Sequence, residues 1–158
     1  MAEYSIGFAR SLLAAADQLL PETAPTSTED YQRAVLYLSL LACEITLKYL
    51  LEQSGYTLPE IRRMSHNLAA LLGAVARCRV NGDDGPRPAS SIRAVLSDTR
   101  FGNATLGHLL TAEEHGASRY PNDVRYGDLV RHFPASVMRD VARSILDWAE
   151  NNGANIHR

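Results

Sequence analysis

Residues 34–51 read AVLYLSLLACEITLKYLL, and this apolar stretch is the strongest structural signal in the sequence. Apolar side chains occupy both faces of the predicted helix: one face carries Val35, Leu38, Ala42, Ile45 and Tyr49, and the other Leu36, Leu40, Cys43, Leu47, Leu50 and Leu51. A helix that is apolar nearly all round is typical of the buried centre of a bundle. Glu44 and Lys48 lie in its second half, where a lipid-spanning helix would accommodate charges poorly. We therefore predict a central helix of a soluble protein over residues 28–53.

Further helical patterns lie on both sides of this stretch. Thr57 to Glu60 forms a capping box that predicts a short helix, and Asn81–Pro86 predicts the turn that ends the helix after it. We find no period-two alternation bounded by hairpin turns, so no strands are predicted. The other predicted helical segments are 4–20, a helix starting at Ser65 or His66, 90–97, 105–114, and a last helix opened by Pro134. The chain is predicted to be one all-α domain, residues 1–158, an antiparallel up-and-down bundle of about five helices.

The amino-acid composition limits which classes of ligand the chain is expected to bind. The chain has 158 residues, a formal net charge of -2 and 46% apolar residues, so one compact domain is expected and a generic polyanion binder is excluded. Its basic residues are fifteen Arg and one Lys. Residues 1–60 hold eight acids against three bases, and residues 61–158 hold ten acids against thirteen bases. An anion site, if there is one, is therefore expected in the second part of the chain.

The two cysteines and the N-terminal residues indicate the cellular compartment in which the protein is expected. Cys43 and Cys78 lie in apolar surroundings without a CxxC pair, which predicts buried thiols rather than a disulfide framework. The N-terminal residues lack the basic start and uninterrupted apolar core of a signal peptide. We expect a cytoplasmic protein without a membrane partner.

Three phrases in a fixed order, with a closing helix, carry a family resemblance. They are Cys43–Leu51 (CEITLKYLL), Ser65–Leu72 (SHNLAALL) and Ala117–Asp123 (ASRYPND), followed by Ala142–Trp148 (ARSILDW). Together they resemble the HEPN family, the higher eukaryotes and prokaryotes nucleotide-binding domain. The resemblance implies a helical bundle that often dimerises, is associated with nucleotide or RNA chemistry, and is often encoded with a minimal nucleotidyltransferase.

The residues in these phrases also have simple physical interpretations. Glu44 and Lys48 are spaced i, i+4 with the acid first, a favourable helical pair, and their apolar helix predicts a buried pair with partners across the bundle, Arg119 being the candidate for Glu44. His66 at a helix start is expected to cap the helix or to bond a loop carbonyl. Tyr120 is expected to anchor its loop, with its ring packed and its hydroxyl bonded.

The leading functional hypothesis is a non-catalytic module that binds the phosphate of a nucleotide or of RNA. His66, Arg119, Tyr120 and Arg125 are its predicted ligand-binding residues, and it would act with a partner protein, such as a nucleotidyltransferase, or as a homodimer in a prokaryotic system. No metal-ligand spacing, phosphate loop or DNA-binding motif occurs in the sequence. We therefore expect no cofactor and no metal.

Two alternatives remain open. Catalytic members of the family are metal-independent ribonucleases with an R-x(4 to 6)-H motif, and the spacing occurs here as Arg125 to His132, although Tyr126 replaces the polar residue that usually follows the Arg. The resemblance thus implies a toxin-type endoribonuclease using Arg125 and His132 as the second hypothesis. The third hypothesis is a protein-interaction or dimerisation subunit, as in toxin–antitoxin pairs, with no small ligand.

Overall fold

The apolar stretch at 34–51 forms most of one long helix, α2 (Glu29–Gln53). This is seen in a computed structural model that describes residues 2–20, 29–93, 105–106, 120–126 and 135–158, which are mostly helical. The most buried side chains of α2 include Leu40, Cys43, Leu47, Leu50 and Leu51. The prediction of a central buried helix over residues 28–53 is confirmed for its described part.

Length and composition alone would let α2 cross a bilayer. Residues 30–53 contain an 18-residue window with a mean hydropathy of 1.7, and 67% of that window is buried inside the fold. The core helix of a soluble protein can have the same length and composition as a membrane-spanning segment.

Five other helices are described, and all of them contact α2. They are α1 (Ile6–Leu19), α3 (Leu58–Arg63), α4 (Leu68–Arg77), α5 (Asn122–Tyr126) and α6 (Ala135–Asn152). Helices α1, α4 and α6 make the main contacts with α2, and α1 also touches α6. Ser5 caps α1 by accepting a 3.2 Å hydrogen bond from the Phe8 amide. The fully buried Trp148 of α6 donates from its indole N–H to the Ile92 carbonyl, at 3.2 Å.

Local signals set the end of α2 and the start of α3. Gly55 has φ +96°, a left-handed backbone that favours glycine, and the following Tyr56 amide donates to the Leu51 carbonyl at 3.0 Å, as in a Schellman motif. Two residues later the predicted capping box forms, because the Thr57 amide and hydroxyl both donate to the Glu60 carboxylate at 2.8 and 2.9 Å. The chain therefore reverses between α2 and α3 over a few residues.

Two predicted helix starts are wrong. Helix α4 begins at Leu68 instead of Ser65 or His66, because Asn67 is the residue that caps it, accepting from the Ala70 amide at 3.0 Å. Residues 89–91 form a single 3-10 turn, and Arg93 pairs as an isolated β-bridge with Thr105, so no α-helix begins at residue 90. Leu106 is helical, one residue after the predicted helix start at Thr105. The rest of these two segments, apart from residue 106, lies outside the described residues, as does Pro134.

The prediction that the chain lacks strands is also wrong. Strands β1 (Arg79–Gly82), β2 (Gly85–Pro88) and β3 (Ile156–His157) form an antiparallel sheet in the order β2-β1-β3. The predicted turn at residues 81–86 is therefore a hairpin turn. Residue Val80 faces Ile156 across β1 and β3, so the sheet ties the end of the described chain to the segment after α4.

Candidate functional site

A buried carboxylate on α2 brings together residues from three parts of the chain. Glu44 is 3% exposed and accepts hydrogen bonds from Lys48 Nζ at 2.7 Å and from the Tyr120 hydroxyl at 2.5 Å. The Nδ1 atom of His66 lies 3.0 Å from both of its oxygens. We call these four residues the Glu44 cluster. Their sequence separation means that the fold, and not a local motif, assembles them.

The Lys48 ammonium is the cation that balances Glu44. The two residues lie one turn apart on α2, and Lys48 is itself only 8% exposed. Its ammonium lies 5.6 Å from the centre of the Tyr4 ring, close enough for a cation–π contact. Taking both charges out of water is costly unless they are paired and hydrogen-bonded, so the pair depends on its two further donors.

The charge state of the cluster follows from these contacts. Burial acts to raise the pKa of Glu44, but the hydrogen bonds from Lys48, Tyr120 and His66 outweigh it and hold that pKa below its ordinary value. Burial, together with the hydrogen bond to Glu44, raises the pKa of Tyr120 above its ordinary range. Glu44 is therefore a carboxylate and Tyr120 a neutral hydroxyl donor at neutral pH.

An arginine-and-aromatic surface lies next to the Glu44 cluster. The Arg125 guanidinium donates to the Tyr37 hydroxyl from Nε at 3.1 Å and from a terminal nitrogen at 2.6 Å, and this hydrogen bond raises the pKa of Arg125. The Tyr37 ring is 6.0 Å from the Tyr120 ring, centre to centre, and His66 meets Tyr120 edge-on at 6.3 Å. We call Tyr37, Arg125 and Tyr126 the Arg125 surface.

The two groups differ in their access to solvent. Tyr126 is 82% exposed and Arg125 is exposed, whereas Tyr120 is buried. Half of the His66 side chain is exposed, so His66 belongs to the buried cluster through one edge of its ring and reaches solvent with the remainder. The Arg125 guanidinium, half of the His66 side chain and the Tyr126 ring are therefore open to solvent.

The structure locates most of the residues singled out in the sequence. Glu44 and Lys48 form the predicted buried pair, and Tyr120 is packed with its hydroxyl bonded, as predicted for a loop anchor. His66 bonds the Glu44 carboxylate, whereas a helix cap or a loop carbonyl was expected, because Asn67 provides the cap. Arg119, the expected partner of Glu44, and His132 lie outside the described residues.

Sequence reasoning missed the role of Tyr37. Tyr37, Glu44 and Lys48 are spaced i, i+7 and i+11, which places them on one side of α2. That spacing was a usable signal, since polar atoms recurring on one face of an apolar helix indicate a shared environment. Tyr126 was noted only as a departure from the ribonuclease motif, and its exposure has no sequence signal.

A concave surface elsewhere in the described residues carries no comparable site. A groove of about 270 Å³ lies between α1 and α6. Its charged side chains pair across it, Arg10 with Glu150 and Arg143 with Asp17, and we assign the groove to the packing of the two helices. Across the described ranges, no group of three or more His, Cys, Asp or Glu residues is placed to hold a metal ion.

Comparison with family models, with curated proteins and with solved structures finds no match to this chain. The function of this chain is therefore inferred from the residues of the Glu44 cluster and the Arg125 surface.

Proposed function

We propose that this chain is a HEPN-like helical bundle that binds the phosphate of a nucleotide or of RNA without catalysing a reaction. The observation that carries the proposal is the Arg125 surface, where an exposed guanidinium is held by the Tyr37 hydroxyl and the next residue of the helix is an exposed tyrosine. The family phrases support it, because Glu44, His66 and Tyr120, one from each phrase, meet at one carboxylate.

The chemistry of Arg125 suits a phosphate. Arginine has five N–H donors in a planar fork that matches phosphate oxygens, and Tyr37 receives bonds from two of the nitrogen atoms. This contact fixes the side chain before a ligand arrives, so less rotamer freedom is lost on binding. A guanidinium held in this way is a local anion site on a chain whose overall charge is negative.

The aromatic ring next to Arg125 favours a nucleotide over a bare anion. Tyr126 is the next residue on α5, and 82% of it is exposed. Stacking of a base on an exposed aromatic ring contributes about 1–3 kcal/mol without base preference. A ligand with both a phosphate and an unpaired base therefore gains from both residues, whereas inorganic phosphate gains only from Arg125.

Calorimetric titration tests the proposal with ATP, GTP and a short single-stranded RNA as ligands. We expect the affinity to fall as the salt concentration rises. The substitution Arg125→Gln should lower the affinity at least about tenfold, because charge-assisted contacts to phosphate are strong. Arg87→Gln is the matched control, since Arg87 is also exposed but pairs with Asp84 on the β1–β2 hairpin. Absence of heat with all three ligands at millimolar concentration, or an equal loss in both variants, contradicts the proposal.

The same RNA separates binding from cleavage. Incubation in EDTA leaves the RNA intact if the module only binds. Cleavage that survives the chelator and disappears in His132→Ala would replace the proposal with the ribonuclease alternative.

A further inference from the structure

His66 lies between a buried negative charge and solvent. Its Nδ1 atom is 3.0 Å from both oxygens of Glu44, and half of its side chain is exposed. Because an ionised carboxylate can only accept, Nδ1 carries the hydrogen of this contact. The other ring nitrogen, Nε2, points away from Glu44, and half of the side chain is exposed.

The charges around His66 are closely balanced before a ligand binds. On α2, Glu44 is negative and Lys48, bonded to the same carboxylate, is positive. Tyr120, packed against the edge of the imidazole, is neutral, and Arg125 adds a positive charge on the far side of the Tyr37 and Tyr120 rings. Lys48 thus balances the charge of the carboxylate.

A phosphate changes this balance. Histidine is the side chain that changes charge between about pH 5 and pH 8. An anion at the outer side of the ring would leave the imidazole between two negative groups, which favours its charged form. The protonated ring then donates from Nδ1 to Glu44 and from Nε2 to the ligand.

We propose that a phosphate ester binds at the outer edge of His66 next to the Arg125 surface, and that its binding takes up a proton on this imidazole. The inference rests on the proposed phosphate binding and adds its coupling to pH. The step is a protonation only: one proton moves from buffer to the imidazole, and no bond of the phosphate ester breaks. Affinity is therefore higher at pH 6 than at pH 8.

Calorimetry with a tetraribonucleotide that has no terminal phosphate measures the coupling. Its internal phosphodiesters keep one charge throughout this range, whereas a terminal phosphate titrates itself near pH 6. Titrations at pH 7.5 in buffers of different ionisation enthalpy are expected to show uptake of up to one proton. Between pH 6 and pH 8 the affinity is expected to fall by up to about tenfold per pH unit.

Two variants assign the proton to a residue. His66→Gln keeps a hydrogen-bonding side chain without a titrating ring, and we expect it to lose both the uptake and the pH dependence. His157→Gln is the control, because His157 lies in β3 next to Arg79 and away from the cluster. If His66→Gln does not fold, the His66 ring signal in nuclear magnetic resonance of the unmodified protein is followed from pH 5 to pH 9. Added oligonucleotide is expected to move its midpoint to higher pH.

The outcomes separate this inference from the proposed function. Binding that depends on Arg125 but shows no proton uptake, or uptake that persists in His66→Gln, overturns the inference and leaves phosphate binding in place. An unmoved His66 midpoint does the same. Absence of binding overturns both.

Discussion

Tyr120 is the neutral donor in an otherwise charged cluster. Its hydroxyl lies 2.5 Å from Glu44, and both residues are buried. A buried carboxylate needs its lone pairs filled by donors, because water cannot supply them there. Tyr120 lies just before α5, the helix that carries Arg125. Its hydrogen bond to Glu44 therefore links α5 to the central helix.

Removing that hydroxyl should destabilise the protein. In Tyr120→Phe the ring packing is kept but Glu44 loses a donor, and we expect the free energy of unfolding to fall by about 2 kcal/mol, the usual size for a hydrogen bond to a charged group. Urea unfolding followed by circular dichroism measures the change.

The matched control for this change is Tyr37→Phe. The Tyr37 hydroxyl accepts from the exposed Arg125, where water can replace it, so we expect a smaller loss of stability and a clear loss of nucleotide affinity. Equal stability of Tyr120→Phe and the unmodified protein would show that Glu44 does not need this donor.

At the scale of elements, α2 and the β1–β2 hairpin have different tasks. Helix α2 carries Tyr37, Glu44 and Lys48 on one side and the core on the others, so it supports the site directly. The hairpin supplies none of the hydrogen bonds described for the Glu44 cluster. Its strand β1 pairs with β3 and so holds residues 156 and 157 beside the segment after α4. Its turn contains Gly85 with φ +98°.

The hairpin turn predicts a difference between its two glycines. A Cβ at Gly85 would meet no atom within 4 Å, so the cost of Gly85→Ala comes from the left-handed backbone and is about 1–2 kcal/mol. At Gly82 a Cβ would lie 3.8 Å from the Gly85 carbonyl oxygen, an ordinary contact, and Gly82→Ala should change stability by less than about 0.5 kcal/mol. Thermal unfolding of the two variants compares them, and an equal effect at both positions would contradict this account of the turn.

At the scale of the whole molecule, sequence patterns predicted the elements whose signals are local. Helix α2, helix α1 and the capping box at Thr57 each depend on residues a few positions apart. The sheet was missed because β1 buries only Val80 of its four residues and β3 has two residues. No alternation is visible in such short strands, and their pairing joins residues 79 and 157, which are distant in sequence.

The same distinction applies to the site. The Glu44–Lys48 pair was predictable, because i, i+4 spacing on an apolar helix is a local pattern. The donors from His66 and Tyr120 lie 22 and 76 residues away from Glu44. These side chains meet because of the way α4 and α5 pack on α2. The hydrophobic periodicity of the sequence does not show how helices pack.

The buried carboxylate leads to a prediction of how the fold responds to acid. Burial opposes ionisation, but the donors of the Glu44 cluster hold the pKa of Glu44 below its ordinary value. A carboxyl whose folded pKa is lowered stabilises the protein above its unfolded pKa, about 4.3, and this contribution is lost as pH falls through the folded pKa. We therefore expect the free energy of unfolding to decrease below about pH 4.3, as that carboxylate takes up its proton.

Glu44→Gln tests whether this carboxylate is the group responsible. The variant should be less stable at pH 7 by about 3 kcal/mol, because Lys48 is left nearly buried without its partner, and its stability should vary less with pH below 4.3.

Glu60→Gln provides the comparison: the pKa of Glu60 is also lowered, chiefly by the Thr57 amide, but Glu60 lies at the surface near Arg158. Salt screens surface charges more than buried ones. The stability that comes from the Glu60–Arg158 ion pair should therefore shrink at high salt. The loss of stability caused by Glu44→Gln should persist. Urea unfolding at several pH values and two salt concentrations gives both quantities, and a Glu44→Gln curve parallel to that of the unmodified protein would place the acid response elsewhere.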